Sequence, residues 1–221
     1  RWVTASRYVD SCNVGRPAGR LPEKMHKPCE KGGIWERQFD NLANKEIPSR
    51  TTVVEIWRPT DGGVHGFNCA VGIGGTLAGV SNALKNHNPN IKIGIADPMG
   101  SSLFNYFSSG ELKSEGRSIS EGIGISIVTD NLKQAKIDMA FQIGDEEALP
   151  YIYNLLKHEG LCLGGSSAIN IAGAVNLANE MGPGSTIVTV LCDYGNRYQS
   201  KLFNPAFLRR MKLPVPDWLD H

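Results

Sequence analysis

From Gly66 onward the chain alternates between short apolar runs and amphipathic segments, with clusters of glycine at the junctions. Residues 66–71 (GFNCAV) read as a buried strand, and residues 76–87 as a helix with Leu77, Val80 and Leu84 on one face. A second strand is expected over 91–96, a third within 138–143 and a fourth over 186–191. Between the last two, residues 145–158 are patterned as a helix. Its opening acids, Asp145, Glu146 and Glu147, suit the positive end of a helix dipole, and Gly160 ends it. Another helix is expected over 166–181 and a short last one around 198–203. Strands that alternate with helices imply an α/β fold: a mostly parallel sheet with helices on both faces.

The first part of the chain is less regular. Residues 1–33 mix proline, glycine, cysteine and basic residues without a clear period. Ile34, Trp35, Phe39 and Leu42 suggest a helical face, and Val53, Ile56 and Trp57 another short one, before Gly62-Gly63 breaks the pattern. The expected organisation is an irregular segment over 1–37 and one α/β domain over 38–221. At 41% hydrophobic and 20% charged residues, 221 residues suffice for a sizeable core.

Composition excludes some functions. The 23 basic and 22 acidic side chains leave a formal net charge of +1, and no basic run supplies a nucleic-acid footprint. No apolar stretch reaches 18 residues, so no membrane span is expected. Cys12, Cys29, Cys69, Cys162 and Cys192 are odd in number, widely spaced and never in a CxxC. They suit a reducing, intracellular setting better than a disulfide framework or zinc site, and the expected compartment is the cytoplasm. Arg1, Arg7, Arg16 and Arg20 against Asp10 alone fit either a solvated end or the remnant of an organellar leader. The opening Arg1-Trp2, in place of Met, suggests a fragment or a processed product.

Four glycine-centred motifs carry the chemistry. Gly72-Ile73-Gly74-Gly75-Thr76 lies between a strand and a helix, where free N–H groups at the helix start bind anions. Phosphate is the natural guest, and a plain tight turn is the alternative. A dinucleotide-binding GxGxxG would need glycine where Leu77 stands, although Asp97 after the next strand keeps that reading open. A P-loop would need a Gly-Lys-Ser/Thr ending, which is absent. Gly164-Gly165-Ser166-Ser167-Ala168-Ile169-Asn170 opens another helix, as a cap or as a ligand site. Glu121-Gly122-Ile123-Gly124 is a glycine-hinged segment, and Cys192-Asp193-Tyr194-Gly195-Asn196-Arg197-Tyr198 ends a strand where open α/β sheets place ligands.

In order and spacing, GIGGT, EGIG, GGSS and CDYGNRYQSKLFNP, with Asp145-Glu146-Glu147-Ala148 between them, resemble the cysteine synthase (O-acetylserine sulfhydrylase) family. The resemblance runs from about Gln38 to Leu219. It implies the type II pyridoxal-phosphate (PLP) fold, tryptophan synthase β-like, with the N-terminal lobe largely missing here and 1–37 as its remnant. It also implies conversion of O-acetyl-L-serine and sulfide to L-cysteine and acetate. The amides of Gly72, Gly74, Gly75 and Thr76, with Ile73 between them and the Thr76 hydroxyl, would cradle the PLP phosphate. Ser166 would bond the pyridine nitrogen and leave the ring neutral, which suits β-elimination and replacement better than transamination. Gly122 would line the substrate cleft. Asp193 and Tyr198 would lie near the pyridine edge. An amino-acid substrate, a homodimer and serine acetyltransferase as a partner are the associations implied.

The sequence also departs from the family. Its members hold PLP through a Schiff-base lysine in a motif like Asn-Pro-Ala-Gly-Ser-Val-Lys-Asp-Arg, and grip the substrate carboxylate with a Ser/Thr-Gly-Asn-Thr loop. Neither is present; the nearest echo, Pro17-Ala18-Gly19, is followed three positions on by Pro22. Ile73 replaces a usual hydroxyl, Ala168 and Ser126 replace glycines, and Val53-Val54 replaces Gly-Pro. No catalytic residue is thus assigned, and the chain as written is expected not to catalyse the reaction alone. A catalytically inactive relative that binds PLP, phosphate or a partner protein is the alternative, with a nicotinamide-dependent oxidoreductase a remote third.

Overall fold

The computed structural model describes residues 38–219. The expectations placed on 1–37, including the helical positions Ile34 and Trp35, lie outside the described residues. Within them, four strands form one parallel sheet in the order β3-β2-β1-β4: β1 (Gly66–Ala70), β2 (Lys92–Pro98), β3 (Met139–Ile143) and β4 (Ile187–Thr189). The helices are α1 (Ala43–Arg50), α2 (Thr52–Trp57), α3 (Gly75–His87), α4 (Leu103–Ser109), α5 (Asp145–Glu159), α6 (Gly165–Met181) and α7 (Pro205–Arg210).

Both faces of the sheet are covered, as the near-continuous apolar strands require. Phe67 and Cys69 of β1 and Ile93 and Ile95 of β2 pack with Val53 of α2 and Leu77, Val80 and Leu84 of α3. On the other face Ala96 and Ile143 meet Ala148, Leu149 and Ile152 of α5, and Ile169 and Ala172 of α6. Each fully buried Leu or Ile contributes roughly 1.5–3 kcal/mol. Helix α6 lies very close to the strands at Gly173, where a Cβ would fall 2.5 Å from Ala96 Cβ and 2.6 Å from Asn68 Nδ2.

Most expected elements are present within a residue or two, and the exceptions have identifiable physical causes. The fourth strand covers three residues instead of 186–191. The Asn170 side chain takes the place of the missing ladder, accepting from Ala70 N–H at 2.6 Å and donating to the Val190 carbonyl at 2.7 Å. The helix expected over 198–203 is a 3-10 turn at Gly195–Tyr198, and a true helix follows at Pro205–Arg210. Asn204 caps that helix by accepting from Phe207 N–H at 3.1 Å, and Pro205 pre-sets its first turn. Helices α1 and α4 were not expected from the sequence. The first contains Pro48, and the second starts where the Phe104 N–H donates to the buried Asp97 carboxylate at 2.7 Å.

Candidate functional site

All four glycine motifs meet at the C-terminal edge of the sheet. The first is the turn from β1 into α3. Gly74 caps α3 with φ +88°, a left-handed conformation that favours glycine, and a Cβ there would lie 2.8 Å from Leu132 Cβ. No side chain caps the helix and its first turn contains no acid, so neither takes up the free N–H groups of this 13-residue helix or cancels their positive potential. Gly74 and Gly75 are buried, Gly72 and Ile73 half-buried, and Thr76 exposed. This arrangement fits an anion with several oxygens, such as a phosphate monoester.

The EGIG segment closes over that turn. A Cβ on Gly72 would stand 2.8 Å from the Gly122 carbonyl, and Gly124 N–H donates to the Val71 carbonyl at 3.0 Å. Gly122 itself is exposed, with open space where a Cβ would point. The segment is tied down through Asp145 at the start of α5. Its carboxylate accepts from the Ser118 hydroxyl and the Ile119 N–H, both at 2.7 Å. Burial raises the Asp145 carboxyl above its usual range despite those two donors.

Ser166 joins the same edge from the opposite side. It is 7% exposed in the first turn of α6, and a Cβ on neighbouring Gly165 would be 3.5 Å from Ser120 Oγ. The Ser166 hydroxyl lies against the Cys192 thiol, which burial pushes up. Ser167 accepts from Cys192 N–H at 3.0 Å, and Gly164 N–H donates to the Asp193 carbonyl at 2.9 Å. Lys201, from the same C-terminal motif, pairs with Glu121 of EGIG. The structure therefore brings together the 72–76 turn, Gly122 and Ser166.

Asp193 and Tyr198 form a unit of their own. The Tyr198 hydroxyl donates to Asp193 Oδ2 at 2.7 Å, and burial with that carboxylate pushes the phenol up to about 12. Asp193 Oδ1 is buried with no partner among the described residues.

The nicotinamide reading is corrected by Asp97. Its side chain is fully buried, with Oδ2 accepting from the Phe104 N–H and Oδ1 enclosed without a partner among the described residues, so a ribose hydroxyl has no access to it. Burial raises its carboxyl to about 6. Sequence reasoning missed Asp145 as the anchor of EGIG and Thr129, which donates to the Ile73 carbonyl. Asp145 was legible only as a helix-opening acid, and no sequence signal marked Thr129.

Fold and site define a class: an α/β domain with an uncapped, glycine-rich helix start suited to an anion at the carboxyl edge of its sheet. The model of the pyridoxal-phosphate dependent enzyme family matches residues 14–193, and the chain belongs to that family. Cysteine synthase from Dictyostelium discoideum is 44% identical over 194 residues, covering 83% of this chain and 51% of that one. Cysteine synthase 1 from Neurospora crassa is 44% identical over 224 residues, covering 98% and 58%. Among solved structures, the O-acetylserine dependent cystathionine beta-synthase from Helicobacter pylori matches with a TM-score of 0.72 at 29% identity. That match covers 80% of this chain and 57% of the other. The chain spans about half the length of these relatives.

Proposed function

We propose that this chain is the cofactor-anchoring part of a cysteine synthase, which converts O-acetyl-L-serine and sulfide to L-cysteine and acetate with PLP as cofactor. The observation that carries the reading is the meeting of three features at one sheet edge: the uncapped first turn of α3, Gly122 and Ser166. The likeness to relatives named cysteine synthase supports it.

The residues divide the work by chemistry. The amides of Gly72, Gly74, Gly75 and Thr76, the Thr76 hydroxyl and the backbone of Ile73 hold the phosphate through charge-assisted hydrogen bonds. When bound, PLP supplies an electron sink for the substrate's α-carbon. Ser166 offers a neutral hydroxyl to the ring nitrogen, so no carboxylate keeps that nitrogen protonated, and replacement is favoured over transamination. Gly122, with no side chain, leaves the floor of the cleft open to an amino-acid substrate. The proton on the α-carbon needs a base, and the family places that base on a lysine motif which these 221 residues do not contain. A second copy of the chain and serine acetyltransferase are the partners proposed with this reading. The cytoplasm is the proposed compartment, with an organelle as the alternative.

Ile73, Ser126 and Ala168, where the family usually has a hydroxyl and two glycines, favour one second reading: a non-catalytic relative that keeps the phosphate seat. Mixing the chain with a lysine-bearing N-terminal lobe from a cysteine synthase separates the two. Cysteine formed from O-acetylserine and sulfide by the mixture, and by neither part alone, supports the first. A mixture that binds PLP and forms no cysteine supports the second.

A further inference from the structure

A loop that binds an anion through its backbone must turn its N–H groups toward the ligand and its carbonyls away from it. In a trans peptide the carbonyl of one residue and the N–H of the next point in opposite directions. Fixing one therefore aims the other. Two carbonyls of the 71–76 loop are fixed from behind. The Val71 carbonyl accepts from Gly124 N–H at 3.0 Å, and the Ile73 carbonyl accepts from the Thr129 hydroxyl at 2.7 Å. The first bond directs the Gly72 N–H away from the EGIG segment, and the second directs the Gly74 N–H away from Thr129.

Thr129 is suited to hold that orientation. It is 3% exposed, and its Oγ1 accepts from Leu132 N–H at 3.1 Å. A carbonyl cannot donate, so the hydroxyl proton is committed to Ile73 and a lone pair to Leu132. Leu132 in turn lies directly under Gly74. The turn is braced once more by Asn131, whose Nδ2 donates to the Phe39 carbonyl at 2.9 Å. We propose that Thr129 is a positioning residue for the phosphate seat: its hydroxyl holds the Ile73 carbonyl back and thereby aims the Gly74 N–H at the anion. The inference rests on the reading of 72–76 as that seat. It also gives Ile73 a use for its backbone, since its side chain has no hydroxyl to offer.

The test is a titration of the full 221-residue chain with inorganic phosphate and with PLP. It follows backbone amide shifts and is repeated on Thr129→Val, Thr129→Ser and Thr129→Cys, with thermal melting of each protein measured without ligand. Valine keeps the shape and removes the bond. It is expected to weaken phosphate binding ~10-fold, the usual scale for a hydrogen bond to a charged group. The Gly74 amide should lose its response while Gly75 and Thr76 keep theirs, and Thr129→Ser should bind within about twofold of the parent. If Thr129→Val does not fold, Thr129→Cys, with a weaker donor of similar size, serves in its place with a smaller loss in the same direction. A folded variant with a lowered melting temperature and unchanged phosphate affinity would show that Thr129 only braces the fold, and the proposal falls while the seat stands. A parent protein in which no amide from Gly72 to Thr76 responds to phosphate removes the seat, and the proposal with it.

Discussion

Asn170 accepts the Ala70 N–H at 2.6 Å, so a side chain of helix α6 completes the hydrogen bonding of strand β1 where strand β4 has already left it. The same amide donates to the Val190 carbonyl at 2.7 Å and so stands in the sheet as a one-residue wedge. Beyond it the two chains diverge into the glycine turn at 72–76 and the segment at 192–198, and the candidate site lies at that edge. The wedge connects packing to function: the contact that ends the sheet also sets the position of Ser166, one turn earlier on α6.

Asn170→Leu is therefore expected to cost stability out of proportion to its size. It strands the Ala70 N–H and the Val190 carbonyl in a site where the asparagine is only 1% exposed. Each unsatisfied group costs about 1–3 kcal/mol, so a total of ~2–6 kcal/mol is expected. Urea unfolding monitored by tryptophan fluorescence would measure it, and a loss below ~1 kcal/mol would mean that water replaces the amide freely.

The sheet, the two faces of helices and the converging motifs were readable in the sequence because each rests on a local signal. Buried strands show as unbroken apolar runs, helix faces as a 3.6-residue period, and strand–helix turns as glycine. What escaped depended on partners distant in the chain. The early end of β4 is set by Asn170, 20 residues away from Val190, and the apolar run up to Leu191 gives no hint of it. Asp97 followed a strand at the spacing of a ribose-binding acid, yet its side chain turns inward to Phe104, a choice that no local pattern encodes. Helix α7 carries a local signal in Asn204-Pro205, a capping side chain followed by proline in the first turn.

The phosphate seat predicts opposite signs for stability and binding at one position. Thr76 is exposed in the first turn of α3, which contains no acid. An aspartate there complements the helix dipole and is expected to add about 0.3–1 kcal/mol to stability. The same charge repels a phosphate dianion, so affinity for inorganic phosphate and for PLP should fall by about tenfold or more. Thr76 is a cleaner place for this charge than Gly74, where any Cβ would also press on Leu132. A Thr76→Asp protein that is more stable and binds phosphate as well as the parent would exclude the turn as the binding site.

Asp97 predicts how stability varies with pH. Burial raises its carboxyl from 3.8 to about 6, so the folded state holds the proton more tightly than the unfolded chain. The favourable contribution is fully present below pH 3.8 and is lost as pH rises through about 6. A rise of that size corresponds to at most ~3 kcal/mol. Asp97→Asn keeps an oxygen for the Phe104 N–H and removes the ionisation. Its stability relative to the parent should rise between pH 4 and 6 and stay level above that. Denaturant unfolding at a series of pH values reads the difference, and parallel curves for the two proteins would show that Asp97 does not titrate in this window. Saturating NAD should shift the melting temperature of neither, because the carboxylate is fully buried and out of reach of a ribose.

The last prediction concerns turnover by the 221 residues alone. They are expected to form no cysteine from O-acetylserine and sulfide above the rate with free PLP. Moving the α-proton requires a positioned base, and such a base typically contributes ~10²–10⁴-fold. In the proposed role Gly72 to Thr76 and Ser166 would bind and orient a phosphorylated pyridine, but a backbone amide and a neutral hydroxyl are too weak as bases to take that proton. Asp193 does not supply the base either: one carboxylate oxygen holds the Tyr198 hydroxyl and the other is buried. Nor does Lys201, whose amine is paired with Glu121. A coupled assay for cysteine over several hours, with free PLP as the reference, decides the matter. Turnover clearly above that reference, lost in Ser166→Ala and retained in Lys201→Met, would require a base that this arrangement does not reveal. Turnover lost in Lys201→Met would identify that base as Lys201.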